Sequence, residues 1–237
     1  MYYRNQRPSM VYIMTNMDNM NQVIAFSRNL NGMLTFMEAY ATNGKGTGIK
    51  EVTGATANDG VDPLASQGAL TLSKDGHLLF AVNAGSNTIS SFIVNENGSL
   101  TLVDVRPSGG NQPNSIGVSG NLLYVSNVGS PDNNFASNIT GFGIDANGRL
   151  SQIPGSTHTL STANAQPAQV LFTPDGSKLL VSELTTNHLS VFNVNRNGTL
   201  SGPVINDSKM NNRFSFYCLE KKFTYHLISM KFFQNIQ

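Results

Sequence analysis

The chain has 237 residues, enough for one large domain or two small ones at roughly 100 to 200 residues per domain. Only 12% of it is charged, against about 25% in an ordinary globular chain, and 22 glycines with abundant asparagine make it turn-rich rather than helix-rich. A formal charge of +1 disfavours nucleic-acid and acidic-membrane partners, and the single cysteine, Cys218, supplies neither an internal disulfide nor a thiolate cluster for zinc.

No apolar run approaches the roughly 20 residues that span a bilayer, and no apolar stretch follows the N-terminal Arg4 and Arg7 as it would in an export signal. The expectation is a soluble chain, cytoplasmic by default. Asparagine triplets of the glycosylation type, such as Asn97-Gly98-Ser99, are chance products of an asparagine-rich sequence.

In chain order, a repeat dominates. The first, partial unit contains Val11-Tyr12-Ile13-Met14-Thr15-Asn16, then Gln22-Val23-Ile24-Ala25-Phe26, then Asn31-Gly32. Met10, Met14, Met17 and Met20 have near-helical spacing, but Val-Tyr-Ile over the same stretch is stronger strand chemistry. The glycine stretch Gly44-Lys45-Gly46-Thr47-Gly48 lacks the spacing of a phosphate loop and reads as a flexible connection. The second unit, Gln67 to Leu100, is the most complete: an opening strand, a turn at Asp75-Gly76, His77 to Asn83, a loop, Asn87 to Val94, and Asn97-Gly98. The third has Pro113-Asn114-Ser115, Leu122 to Asn127, Asn138 to Phe142 and Asn147-Gly148. The fourth has Pro167-Ala168-Gln169, Asp175-Gly176, Leu179 to Glu183, His188 to Phe192 and Asn197-Gly198.

The Asn-Gly pairs that close the units lie 66, 50 and 50 residues apart, with apolar runs of four to eight residues between turn dipeptides. Short antiparallel strands follow, each unit a four-stranded meander whose Asn-Gly pair is expected to form a two-residue type I′ hairpin turn. One meander cannot bury both of its faces. Radial stacking does bury them, and a period near 40 to 50 residues is that of β-propeller blades. The fold class is therefore all-β: residues 1–10 an N-terminal extension, 11–208 about three and a half to four blades, and 209–237 a divergent tail. That tail has none of the glycines, seven of the twenty aromatics, and five basic residues against Glu220.

Several segments together are similar to the lactonase-type seven-bladed propellers, which group 6-phosphogluconolactonase-like and carboxymuconate-cyclase-like proteins. They are Val11 to Asn16, Gly44 to Gly48, Ser66-Gln67-Gly68-Ala69-Leu70, Ala81 to Asn87, Asn138 to Phe142 and Pro167-Ala168-Gln169-Val170. The resemblance implies a toroid with a site in its central channel and lactone chemistry without a metal or other cofactor. Seven units of about 50 residues need about 350 residues, so the chain accounts for roughly half of such a ring.

Opening a lactone needs a proton acceptor for the attacking water and a donor for the oxyanion. Two columns of residues offer them. One closes the second strand of each unit: Asn16, Asn83, Asn127 and Glu183. Glu183 is its one ionisable member, the candidate catalytic base, and it matches the glutamate of the family's Val-Asn-Glu motif, here Val181-Ser182-Glu183. The other opens the inner strand, where Ala69, Ser115 and Gln169 align. The resemblance implies a histidine or arginine there, but Pro113-Asn114-Ser115 and Pro167-Ala168-Gln169 hold none. Gln169, Ser115, Asn114, Asn127, Asn83 and Gln67 are candidate contacts for a small polar ligand or lactone in the channel. His77, His158, His188 and His226 read as surface or packing residues. Three readings stand side by side: a metal-independent lactone hydrolase, a non-catalytic propeller that binds a small polar ligand or a protein, and an inactive fragment. In each case the open blade faces invite self-association.

Overall fold

The computed structural model describes residues 9–48 and 64–208; the tail, with Cys218 and His226, lies outside them. Four antiparallel sheets follow one another along the chain. Blade 1 consists of β1 (Ser9–Met14), β2 (Gln22–Arg28) and β3 (Leu34–Ala41). Blade 2 is β4 (Leu70–Leu72), β5 (Leu78–Asn83), β6 (Thr88–Val94) and β7 (Leu100–Pro107). Blade 3 is β8 (Pro113–Ser119), β9 (Leu122–Asn127), β10 (Asn138–Ile144) and β11 (Leu150–Gln152), with the two-residue β12 (His158–Thr159) also paired to β10. Blade 4 is β13 (Pro167–Phe172), β14 (Lys178–Glu183), β15 (His188–Val194) and β16 (Leu200–Asp207). Each sheet is paired in sequence order, the meander that the turn spacing demands. The methionine stretch is strand at Met10 and Met14, with Met17 and Met20 exposed beyond it.

Strand alternation sends successive side chains to opposite faces, and in a central blade both faces meet a neighbour. In β5, Leu79 and Ala81 join Val23 and Phe92 between blades 1 and 2. Phe80 and Val82 of the same strand join Leu123 and Val125 between blades 2 and 3. Tyr124 then packs with Val170, Phe172, Leu179 and Val181 between blades 3 and 4. This two-sided burial explains why the second strands read as unbroken apolar runs rather than as alternating ones.

The Asn-Gly turns differ from the type I′ expectation. Gly98 N donates to Asn95 O at 2.9 Å and Asn95 N to Ser99 O at 2.9 Å, the pattern of a three-residue loop built on a type I turn. Only the glycine takes a positive φ, +83° at Gly98, and Asn97 does not. The asparagine has another use: Asn97 Oδ1 accepts from Ser99 N at 3.0 Å, which favours a right-handed backbone at Asn97. Gly32, Gly148 and Gly198 repeat the geometry. The three later turns are also fastened to the preceding blade. Tyr12 Oη donates to Gly98 O at 2.8 Å, Ser91 Oγ to Gly148 O at 2.7 Å and Tyr124 Oη to Gly198 O at 2.9 Å. Burial pushes the Tyr124 phenol up to about 12, so it stays a donor at any physiological pH.

The glycine stretch is not a free connection but a clamp between blades 1 and 2. Gly46 N donates to Met17 O at 2.7 Å and Gly48 N to Asn16 O at 2.8 Å, while Lys45 O accepts from Gly85 N at 2.9 Å. Asn16 adds side-chain bonds to Thr47, with Nδ2 to Oγ1 at 2.9 Å and Oδ1 from the backbone N at 3.1 Å. A Cβ on Gly46 would lie 2.2 Å from the Asn16 carbonyl, so backbone rather than a flexible side chain would have to move. Gly46→Ala is therefore expected to cost about 1–3 kcal/mol, read as a lower melting temperature. Gly143→Ala, whose Cβ would have nothing nearer than 3.9 Å, is the control expected to leave stability unchanged.

Candidate functional site

Strand starts of the inner strands and ends of the second strands share one rim, because each sheet is an antiparallel meander. The register matches the two columns read from the sequence. Ser115 lies opposite Ser126 and Gln169 opposite Ser182, while Ala69 O accepts from Val82 N at 3.0 Å. Pro113 and Pro167 pair with Asn127 and Glu183, each beside a bulge.

The inner-strand residues are committed to holding blades together. Asn114 is fully buried; its Nδ2 donates to Pro167 O at 2.6 Å and its Oδ1 accepts from Ser126 Oγ at 2.8 Å. Ser115, also fully buried, donates from Oγ to Gln67 O and accepts from Val170 N at 3.1 Å. Gln67 is exposed at its side chain, but its backbone N donates to Ala168 O at 2.9 Å, which draws the inner strands of blades 2 and 4 together past blade 3. Gln169 is buried in the same wall.

The second column ties each blade to the segment that precedes it. Asn83 donates from Nδ2 to Thr88 Oγ1 at 3.1 Å and to Ser90 Oγ at 2.8 Å, and its Oδ1 accepts from Asn21 Nδ2 at 3.0 Å. Asn127 donates to Asn138 Oδ1 at 2.8 Å and to Ser108 O at 3.3 Å. In blade 4 the amide is replaced by the Glu183 carboxylate, 1% exposed. Its Oε1 accepts from Ser161 N at 3.1 Å and Ser190 Oγ at 2.5 Å; its Oε2 accepts from Thr186 Oγ1 at 2.7 Å and from Ser161 Oγ in a short contact. Four donors hold this carboxylate, with no ion-pair partner among the described residues. His188 joins the cluster, its Nδ1 being 3.1 Å from Ser161 Oγ.

His188 is thus more than the packing or surface residue its sequence position suggests. It stands five positions beyond Glu183, as Thr88 stands five beyond Asn83, and Ser190 matches Ser90 in the same way. Those offsets could have found His188 and Ser190. Ser161 carries no comparable signal, because it sits in the irregular connection between β12 and β13. Among the described residues, no group of three His, Cys, Asp or Glu side chains could hold a metal ion.

A cleft of about 340 Å³ opens at the opposite rim, among the turns of blades 3 and 4, and is lined by Asn121, Asn195, Arg196 and Asn197 over Leu122 and Ile153. Arg196 is its one charged lining residue, so it offers no proton acceptor. Around Glu183 a buried carboxylate, a hydroxyl and an imidazole meet.

Solved structures share the fold at low sequence identity. A protein from Lactobacillus plantarum superposes with a TM-score of 0.61 at 15% identity, covering 90% of this chain and 56% of its own. A protein of unknown function from Desulfotomaculum acetoxidans gives 0.54 at 19%, covering 85% and 58%. The Pseudomonas aeruginosa periplasmic gluconolactonase PpgL gives 0.59 at 18%, covering 90% and 58%. The chain therefore spans a little over half the length of each of these three. No curated protein matches it. Residues 3–133, more than half of the chain, match the family described as Lactonase, 7-bladed beta-propeller. Sequence match, blade architecture and solved relatives agree, and the chain belongs to this lactonase-type seven-bladed propeller family.

Proposed function

We propose that this propeller arc carries a site for the metal-independent hydrolysis of a sugar or organic-acid lactone, centred on Glu183 at the rim of blade 4. The observation that carries the reading is the joining of a buried carboxylate, a hydroxyl and an imidazole in one hydrogen-bonded cluster at the end of the second strand of blade 4. The blades before it place neutral amides, Asn83 and Asn127, at the same point. A carboxylate that accepts from four donors can stabilise a cation formed beside it during proton transfer.

A panel of sugar and aromatic lactones tests the proposal with wild type and Glu183→Gln. Turnover of at least one lactone by wild type, reduced about 10²- to 10⁴-fold in the variant, is expected. No turnover by wild type, or equal turnover by both proteins, overturns it. A second reading, a non-catalytic module that binds a polar ligand or a protein, is favoured by the lack of a histidine or arginine at the inner-strand starts Pro113-Asn114-Ser115 and Pro167-Ala168-Gln169. Calorimetric binding of an unreactive lactone analogue without hydrolysis of the panel would decide for it.

A further inference from the structure

We propose that the proton acceptor of this site is His188 Nε2, and that Glu183 and Ser161 are positioning residues that keep the imidazole proton on Nδ1. The inference rests on the hydrolytic reading for its chemistry but not for its test.

Ser161 Oγ has a single hydrogen, and three groups face it: Glu183 Oε2, His188 Nδ1 and, more distantly at 3.5 Å, Thr186 Oγ1, whose own hydrogen goes to Glu183 Oε2. The carboxylate is an acceptor only and makes the shorter contact, so the hydroxyl donates to Glu183. Ser161 Oγ can then meet Nδ1 only as an acceptor, which requires a hydrogen on Nδ1. In neutral histidine the lone pair is consequently left on Nε2. Histidine free in water prefers the opposite tautomer, so the cluster reverses the intrinsic preference. The backbone adds to the restraint: His188 N lies 3.3 Å from Thr186 Oγ1, itself a donor to Glu183. Across the strand pair, Asp207 of β16 stands opposite His188 and is the other charged group on the neighbouring strand.

The chemistry this permits is balanced. Water forms the new C–O bond at the lactone carbonyl as its proton passes to His188 Nε2. The imidazolium so formed is stabilised by the buried negative charge through Ser161. The ring C–O bond then breaks, and the same proton goes to the departing alkoxide, giving the hydroxy acid and restoring the imidazole. Glu183 itself, with all four donors in place, need not exchange a proton.

Glu183→Gln turns this into a decisive experiment. The Ser161 backbone N–H cannot reverse, so the glutamine oxygen takes the position of Oε1 beside Ser161 N and Ser190 Oγ. Its NH₂ then replaces Oε2, facing two hydroxyls, Ser161 and Thr186, both able to turn and accept. Once Ser161 Oγ accepts from the amide, its own hydrogen is free to point at His188 Nδ1, and the tautomer inverts. Long-range ¹H–¹⁵N NMR of the imidazoles reads this directly, with His188 assigned by its disappearance in His188→Gln. The expected result is Nδ1–H in wild type above the imidazole's titration, and Nε2–H in Glu183→Gln and in Ser161→Ala. Nε2–H in wild type, or a tautomer unchanged in both variants, overturns the inference. A packing role for Glu183 would leave the tautomer unmoved. Lactone turnover is measured on the same samples. His188→Gln and Glu183→Gln are then expected to lose it to a similar degree. Absence of wild-type turnover with the tautomers as stated removes the hydrolytic reading alone, while leaving His188 as the basic group of the cluster.

Discussion

Glu183→Ala is expected to destabilise the protein by about 3 kcal/mol, several times more than Glu183→Gln. Truncation removes the acceptor of four donors at once, and Ser190 is fully buried from bulk solvent. Each buried donor left unpaired costs about 1–3 kcal/mol, and the half-buried Ser161 and Thr186 recover part of that from solvent. The connection between β12 and β13 also loses its tie to β14, so blade 4 loosens from blade 3 along that rim. For a chain of this size the change corresponds to a melting temperature lower by roughly 6–12 °C. Thermal unfolding of wild type, Glu183→Gln and Glu183→Ala checks it. A Glu183→Ala protein that melts with wild type would mean that the carboxylate does not organise this rim. The glutamine variant must melt close to wild type for its lactone turnover and its tautomer to be read as chemistry.

The blades are legible in the sequence because their determinants are local and repeated. Strand-forming runs, turn glycines at fixed offsets and matching strand ends at Asn83, Asn127 and Glu183 all lie within one unit of about 50 residues. What escaped was decided by single side chains within a turn and by contacts between units. Asn97 forgoes a left-handed backbone because its side chain is drawn to Ser99 N, a choice that the dipeptide Asn-Gly leaves open. Gly44 to Gly48 reads as a soft linker by composition, yet its glycines are there to admit backbone from Asn16 and side chain from Asn83. Asn114 and Ser115 look like ligand contacts by alignment, but the close approach of three inner strands consumes their polar atoms. The partner that defines the Glu183 cluster, Ser161, lies 22 residues upstream of it in an irregular connection, where no periodicity marks it.

The 237-residue chain is expected to self-associate through the outer faces of blades 1 and 4. In blade 1, Val23 and Ala25 of β2 are buried against blade 2, so alternation turns Ile24 and Phe26 to the other side. Cross-strand pairing puts Val11 and Ile13 of β1, and Phe36 and Leu34 of β3, on that same side, and the rings of Phe26 and Phe36 meet edge to face. Ile13, Leu34 and Phe36 are 49%, 46% and 61% exposed, an apolar patch unlike the surface of a solitary soluble domain. At the far end of the arc, Leu171, Leu180, Val191 and Val204 form one row across the four strands of blade 4, on the side away from blade 3. Leu180 is nearly covered, whereas Val204 is 62% exposed. Four sheets make just over half of a seven-bladed ring, so a second copy placed head to tail offers each end the kind of face that blades elsewhere in the arc bury. Burial of a single large apolar side chain is worth about 1.5–3 kcal/mol, so several on each side outweigh the cost of association. Light scattering should therefore find dimers or larger assemblies at micromolar concentration. Ile13→Lys with Phe36→Lys, both on exposed positions, should weaken association at least about tenfold while the monomer keeps its fold, since two buried charges oppose the contact. A wild-type protein that stays a monomer across the concentration range, or a double variant that associates as well as wild type, would show that blade 1 is not the surface that pairs.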